Sequence, residues 1–204
     1  MSSRSSSAPA RRGRPRSAHA RRAVLDAVRE LVEEGGYSAA TIEAIAARSG
    51  VAKTTIYRSW PNRAALAVDV LVQMVAAAAP PPADGDPLRA LRTDLRRIAE
   101  AAEGLPGRLL VSLLGEAEHD PEIHEALARE LFGPRRQGTV KAIRRAQDSG
   151  ALRPDVPPYL AGDLLYGPLF YRKFIRHEPV TGAFVDQVFG HILAGLRPRP
   201  ARRK

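Results

Sequence analysis

The sequence predicts an all-α chain in two units: an N-terminal three-helix unit of the helix-turn-helix kind and a longer helical unit behind it. Three observations carry that expectation. Apolar residues recur at helical spacing in nearly every segment, and no two-residue alternation lasts long enough for a strand. The run Pro80-Pro81-Pro82-Ala83-Asp84-Gly85 is the one clear linker. Two short helical stretches are joined by a tight turn at Ser49-Gly50.

The elements follow in order. Residues 1–17 are Ser, Arg, Pro, Ala and Gly without hydrophobic period, and are expected to be a disordered basic tail. From Ala18 a helix carries Val24, Val28, Leu31 and Val32 on one stripe, and Gly35-Gly36 should end it. Thr41 is placed to cap a short helix bearing Ile42, Ile45 and Ala46. A third helix is expected from Ala52 to about Ser59, and Pro61 should open a fourth in its first turn, running through Leu66, Val70, Leu71 and Met74 to about Ala79. The three helices of the helix-turn-helix and the fourth that follows them make up the first unit, residues 18–78.

The second unit is expected over residues 86–197, with a basic C-terminal tail at 198–204. Leu88, Leu91, Leu95 and Ile98 give a one-sided stripe. The stretch from Leu105 to Leu114 is apolar almost all round, which predicts burial on all sides. Asp120-Pro121-Glu122 is a strong helix start, opening a run that reaches Ser149, and Gly133-Pro134 inside that run should kink or split it. Two further helices are expected over residues 158–176 and 181–196.

Composition narrows the function classes. There is no cysteine, which excludes disulfides, thiolate chemistry and cysteine-held metals and fits a reducing compartment. No apolar core follows the arginine-rich start as a secretory signal would require, and no window approaches 18 uninterrupted apolar residues, so a cytoplasmic protein with no membrane partner is expected. The net charge of +10 is unevenly spread. Residues 1–63 hold 12 Lys and Arg against 5 Asp and Glu, whereas residues 64–196 hold 15 against 17. A positive end beside a near-neutral body points to a polyanion partner for the N-terminal part.

The stretch from Thr41 to Tyr57 carries the chemistry. Ile42, Ile45, Val51 and Ile56 should face inward, with Ala46 small where two helices approach. The outward face of the second helix is then Lys53, Thr54, Thr55, Tyr57 and Arg58, without an acid. Hydroxyls and cations in that pattern suit phosphate oxygens and base edges; an ordinary surface helix would mix in carboxylates.

With these residues in view, the chain resembles the tetracycline-repressor (TetR) family of bacterial regulators. The resemblance covers about residues 18–78. It rests on Gly36, Tyr37 and Thr41, the Ile45-Ala46 pair, the Gly50-Val51 turn, the Ile56-Tyr57 pair and the step Trp60-Pro61-Asn62-Arg63. In the second unit, Gly167-Pro168-Leu169-Phe170-Tyr171-Arg172 is similar to a segment of the family's penultimate helix. The resemblance implies that the helix after Val51 lies in the major groove of double-stranded DNA, with Lys53, Thr54 and Thr55 toward base edges and Tyr57 on the backbone. Thr41 would cap its helix and also donate to a phosphate. Arg63 stands where the family usually has lysine, and a guanidinium can hold phosphate bidentately. Position 54, often glycine in the family, is threonine here. Arg48 and Arg58 stay open between phosphate contact and simple solvation. Trp60 is read as core.

Arg12-Gly13-Arg14-Pro15-Arg16 resembles an AT-hook, in which arginines such as Arg12 and Arg14 enter a narrow minor groove. The bland alternative is a basic tail giving non-specific attraction.

Other chemistries find no constellation. His119 and His124 flank a helix start and form no zinc pattern, so no metal is expected. Neither a nucleophile elbow nor a phosphate loop is present, so neither a catalytic residue nor a cofactor is expected, and the chain is not read as an enzyme.

The resemblance further implies a homodimer built from the last two helices, for which Leu165, Leu169, Phe184, Val188, Phe189 and Ile192 are candidates. It also implies a small-molecule effector held among the middle helices. Leu110, Leu113, Phe132, Tyr166 and Phe170 are candidate apolar lining, and Ser112 and Glu116 candidate polar fixtures; each is equally compatible with plain core. The expected function is a palindromic-operator regulator, a repressor released by its effector. The alternative is an architectural DNA-binding protein without a specific operator.

Overall fold

The computed structural model describes residues 14–79 and 85–198, with side chains from Ser17 onward. Among them the chain is helical throughout, and the elements are those the periodicity predicts, with instructive shifts at their ends. Helix α1 (Arg14–Ala39) starts four residues before the expected Ala18, so Arg14, Pro15 and Arg16 form its first turn. An extended Arg-Gly-Arg-Pro strip would require that turn to unwind; Arg12 lies outside the described residues. Gly36 has φ +74° and breaks the helical path at the expected glycine pair, although one more turn follows.

Thr41 caps α2 (Ile42–Ser49), its hydroxyl accepting from the Ala44 amide at 3.1 Å. Gly50 closes α2 at φ +67°, a left-handed conformation that a side chain would strain. Helix α3 (Lys53–Ser59) follows, then α4 (Arg63–Ala78). Here the expectation for Pro61 is corrected. Asn62 is the N-cap, accepting from the Ala65 amide at 2.7 Å, and Pro61 lies before the helix. A side-chain acceptor satisfies an otherwise orphaned N–H, which proline's fixed φ alone cannot do.

The second unit contains α5 (Pro87–Glu103), α6 (Leu105–Ala117), α7 (Pro121–Ala126), α8 (Gly133–Asp148), α9 (Pro158–Phe170) and α10 (Gly182–Leu196). Asp120 caps α7 as expected. Gly133-Pro134 does not split the run. Residues Leu127–Phe132 form a π-helical stretch that leads directly into α8, widening the turn where proline lacks an N–H. A second π stretch, Tyr171–Ile175, prolongs α9 after Pro168. Helix α6 departs from expectation more clearly. Its Leu109 and Leu113 are buried, but Leu110 and Leu114 are half-buried and Val111 is 45% exposed. It is a one-sided helix.

Two cores result. The first joins α1–α4 to Leu109 and Leu113 of α6 and to Ile123, Leu127 and Leu131, so the second unit completes the interior of the first. The other gathers Leu91 and Leu95, Ala142 and Ile143, Leu165 and Leu169, and Val185, Phe189 and Leu193. Gly107 is needed where α5 meets α6: an added Cβ would lie 1.9 Å from the Ala102 carbonyl oxygen.

Candidate nucleic-acid interface and effector cavity

Helix α3 buries one side chain of its own. Ile56 is fully buried, while Lys53, Thr54, Tyr57, Arg58 and Ser59 are exposed and Thr55 half-buried. Ile42 and Ile45 are also buried and Val51 half-buried, as an inward-facing set should be. Tyr57 leaves 49% of its surface in solvent. Hydroxyls and cations therefore share one outer face of α3, with no acid on the helix.

Lys53 and the cations of the flanking helices already have partners within the chain. The Lys53 ammonium pairs with Glu43 in the first turn of α2, which holds that carboxyl below its ordinary range. Arg58 reaches Thr55 Oγ1 at 3.4 Å. Arg48 turns toward α1, donating to Glu34 at 2.9 and 2.8 Å and to Glu30 at 3.1 Å. Arg63, at the first position of α4, lies 3.9 Å from the Tyr37 ring centroid and 3.9 Å from Glu116. Burial pushes the Tyr37 phenol up, and Arg63 above it works the other way. Trp60 is buried, its indole N–H donating to Asp69 at 2.8 Å.

A cavity of about 330 Å³ lies in the second unit, close to the lower end of the roughly 300–1,000 Å³ range of small-molecule sites. Of the residues expected to line it, Leu110, Phe132, Tyr166 and Phe170 do so, whereas Ser112, Leu113 and Glu116 do not. Helical phase explains the division: Pro106, Gly107 and Leu110 share the cavity face of α6, while Leu109 and Leu113 turn into the first core. Ser112 donates to the Arg108 carbonyl, and Glu116 is exposed beside Arg63.

A family model for the "Tetracyclin repressor-like, C-terminal domain" matches residues 81–192, and one for "Bacterial regulatory proteins, tetR family" matches residues 24–70. The chain is a TetR-family transcription regulator. YdeS, an uncharacterised HTH-type transcriptional regulator of Bacillus subtilis (strain 168), is 29% identical over 94% of this chain and 96% of its own. The DNA-binding transcriptional repressor TetR of Mycobacteroides abscessus is 29% identical over 94% of this chain and 98% of its own. The crystal structure of the TetR family transcription regulator SCO0332 superposes with a TM-score of 0.75 at 34% identity, covering 88% of this chain and all of that one (100%).

In this TetR-family chain the last two helices divide their apolar residues sharply. Leu165, Leu169 and Phe189 are 1%, 3% and 7% exposed, so the subunit's own core takes nearly all of their surface. Phe184, Val188 and Ile192 are half-buried on the flank of that core. Leu160 and Leu164, at 43% and 44% exposure, stand outward on α9, and Tyr171 continues their stripe at 58%. Both faces of α9 are apolar, so periodicity alone does not separate these outward residues from Leu165 and Leu169.

Sequence reasoning misses the buried polar group beside the cavity. Asp94 is 3% exposed, and its carboxylate takes Arg135 at 2.7 Å and the Tyr166 hydroxyl. Burial, then the Asp94 charge, drives the Tyr166 phenol far above its ordinary value. A lone aspartate at a core position of an amphipathic stripe, as Asp94 is between Leu91 and Leu95, was the available signal. Among the described residues no helix is long and apolar enough to cross a membrane.

Proposed function

We propose that the chain is a cytoplasmic, homodimeric repressor that binds a palindromic operator and is released from it by a small molecule, acting by binding rather than catalysis. One observation carries the reading: α3 commits only Ile56 to the interior and turns Lys53, Thr54, Thr55, Tyr57 and Arg58 outward without an acid among them. In the major groove, Lys53, Thr54 and Thr55 at the N-terminal end of α3 meet base edges, and Tyr57 and Arg58 meet the backbone. Thr41 and Arg63 add phosphate contacts, Arg63 by leaving Glu116. A dimer places two such helices about 34–36 Å apart, on successive turns of the duplex.

The dimer face assigned here is the outward side of α9, Leu160, Leu164 and Tyr171, flanked by Phe184, Val188 and Ile192 of α10. The residues Leu165, Leu169 and Phe189 support that face from beneath. Repression is favoured by the similarity to the repressor of Mycobacteroides abscessus. Arg12 and Arg14 extend the contact toward the minor groove, provided the first turn of α1 opens.

Selection of bound duplexes from random DNA tests the reading. A palindrome with half-sites about one helical turn apart, retained against excess unrelated DNA, is the expected result. Binding that unrelated DNA competes away completely would instead indicate an architectural protein.

A further inference from the structure

The charges around the cavity cancel one another. Arg135, Arg136 and Lys173 stand in its wall, and each has a carboxylate of the protein's own: Asp94 at 2.7 Å, Asp163 at 3.0 Å and Glu103 at 2.7 Å. No described cation of the wall is left to neutralise an acidic ligand, and an unpaired charge buried among apolar groups is strongly disfavoured. The remaining wall is aromatic to an unusual degree. Phe132, Phe170, Phe174, Tyr159 and Tyr166 all line it, five of the chain's ten Phe and Tyr residues. Phe132 and Phe170 sit 6.3 Å apart, tilted by 60°, and Phe170 and Phe174 sit 5.1 Å apart, tilted by 48°. Tilted rings at these separations offer edges and faces to a further flat ring.

One wall residue also reaches the DNA-binding unit. Arg135 donates one N–H to Asp94 and another, at 2.9 Å, to the carbonyl of Ala79, the buried C-cap of α4. Asp94 in turn accepts from Tyr166, whose ring lines the cavity. Val75 of α4 touches the same space.

Resting on the effector-responsive reading above, we propose that the cavity takes an uncharged aromatic molecule, and that Tyr166, Asp94 and Arg135 communicate its presence to the C-terminal end of α4. A ring inserted beside Tyr166 displaces the phenol from Asp94. Arg135 then re-pairs with the freed carboxylate oxygen and loosens its hold on Ala79.

The probes are N-phenyl-1-naphthylamine, which is neutral and brightens in apolar surroundings, and its sulfonated relative 1-anilinonaphthalene-8-sulfonate. On the full chain the neutral dye is expected to saturate at one site per subunit and to bind at least about tenfold more tightly than the sulfonate. Filling the cavity with Val140→Trp should abolish that site, and 1-naphthol should displace the dye better than dodecan-1-ol does. Equal or tighter binding of the sulfonate, insensitivity to Val140→Trp, or better displacement by the alkanol would each overturn the ligand assignment. None of these measurements involves DNA, so a chain that retarded no duplex would refute the regulator reading while leaving the cavity result intact.

On the duplex recovered by selection, the dye should weaken binding by about 5- to 150-fold. The paired change Asp94→Asn with Arg135→Gln, which leaves no lone charge, should keep dye binding and lose most of that effect. Should the pair fail to fold, Tyr166→Phe, which preserves the ion pair, should shrink the effect in the same way. An undiminished effect in a folded variant would overturn the relay.

Discussion

Replacing both Leu160 and Leu164 with glutamate should convert the protein to monomers without unfolding it. Their exposures are 43% and 44%. Fully burying a leucine contributes roughly 1.5–3 kcal/mol, so the uncovered two-fifths amounts to about 1 kcal/mol per side chain at a new interface. A twofold axis presents each leucine twice, so the four together contribute about 4 kcal/mol, or about a thousandfold in the dimer dissociation constant. Glutamate forfeits this and adds the desolvation of its charge. The isolated subunit, in which these side chains already meet water, should lose less than about 1 kcal/mol. Sedimentation velocity at low-micromolar protein reads the mass, a circular-dichroism melt checks the fold, and gel retardation reads operator binding. Val111→Glu, at a site 45% exposed on α6, serves as the control and should remain dimeric. A folded double variant that still sediments as a dimer and binds operator normally would refute the assignment of this face.

Leu165→Ala, one position further along α9, should behave oppositely: at 1% exposure it opens a cavity and lowers stability by about 2–5 kcal/mol in a chemical melt, whatever the protein concentration. Thr41→Ala removes the 3.1 Å cap bond to Ala44 and should cost about 1 kcal/mol, seen as a fall of about 2–4 °C in Tm that Thr41→Ser restores. Glu43→Gln releases Lys53 and withdraws a negative charge from beside α3, so affinity for duplex DNA should rise in a gel-shift titration; weaker binding would mean that Glu43 positions Lys53 instead of masking it. Deleting residues 1–16 should flatten the salt dependence of DNA binding by about 0.9 per lost phosphate contact, and an unchanged slope would remove Arg12 and Arg14 from the interface.

Local rules made the helix-turn-helix legible. Thr41 before an apolar stripe, Gly50 where the backbone turns left-handed, and an acid-free face on α3 are all properties of neighbouring residues, and each is where the sequence pattern puts it. Pro61 misled because proline and asparagine both signal a helix start, and the side-chain acceptor of Asn62 won. Periodicity does not choose between the two apolar faces of α9, so it does not reveal that Leu165 and Leu169 lie in the subunit's own core while Leu160 and Leu164 stand outward. The cavity was legible in Leu110, Phe132, Tyr166 and Phe170 but not in its polar fittings. Asp94 and Arg135 lie 41 residues apart and meet only because α5 and α8 pack together, which no local signal encodes.

The two ends of α4 are gripped by side chains that belong to the other half of the molecule. At its start, Asn62 donates to Glu122 and Arg63 faces Glu116; at its finish, Arg135 holds the Ala79 carbonyl. A chimera that grafts residues 1–79 onto a foreign sensor would therefore inherit a reading head without its fastenings. Engineers exchanging modules would have to transplant Glu116, Glu122 and Arg135 along with the head for the hybrid to stay responsive.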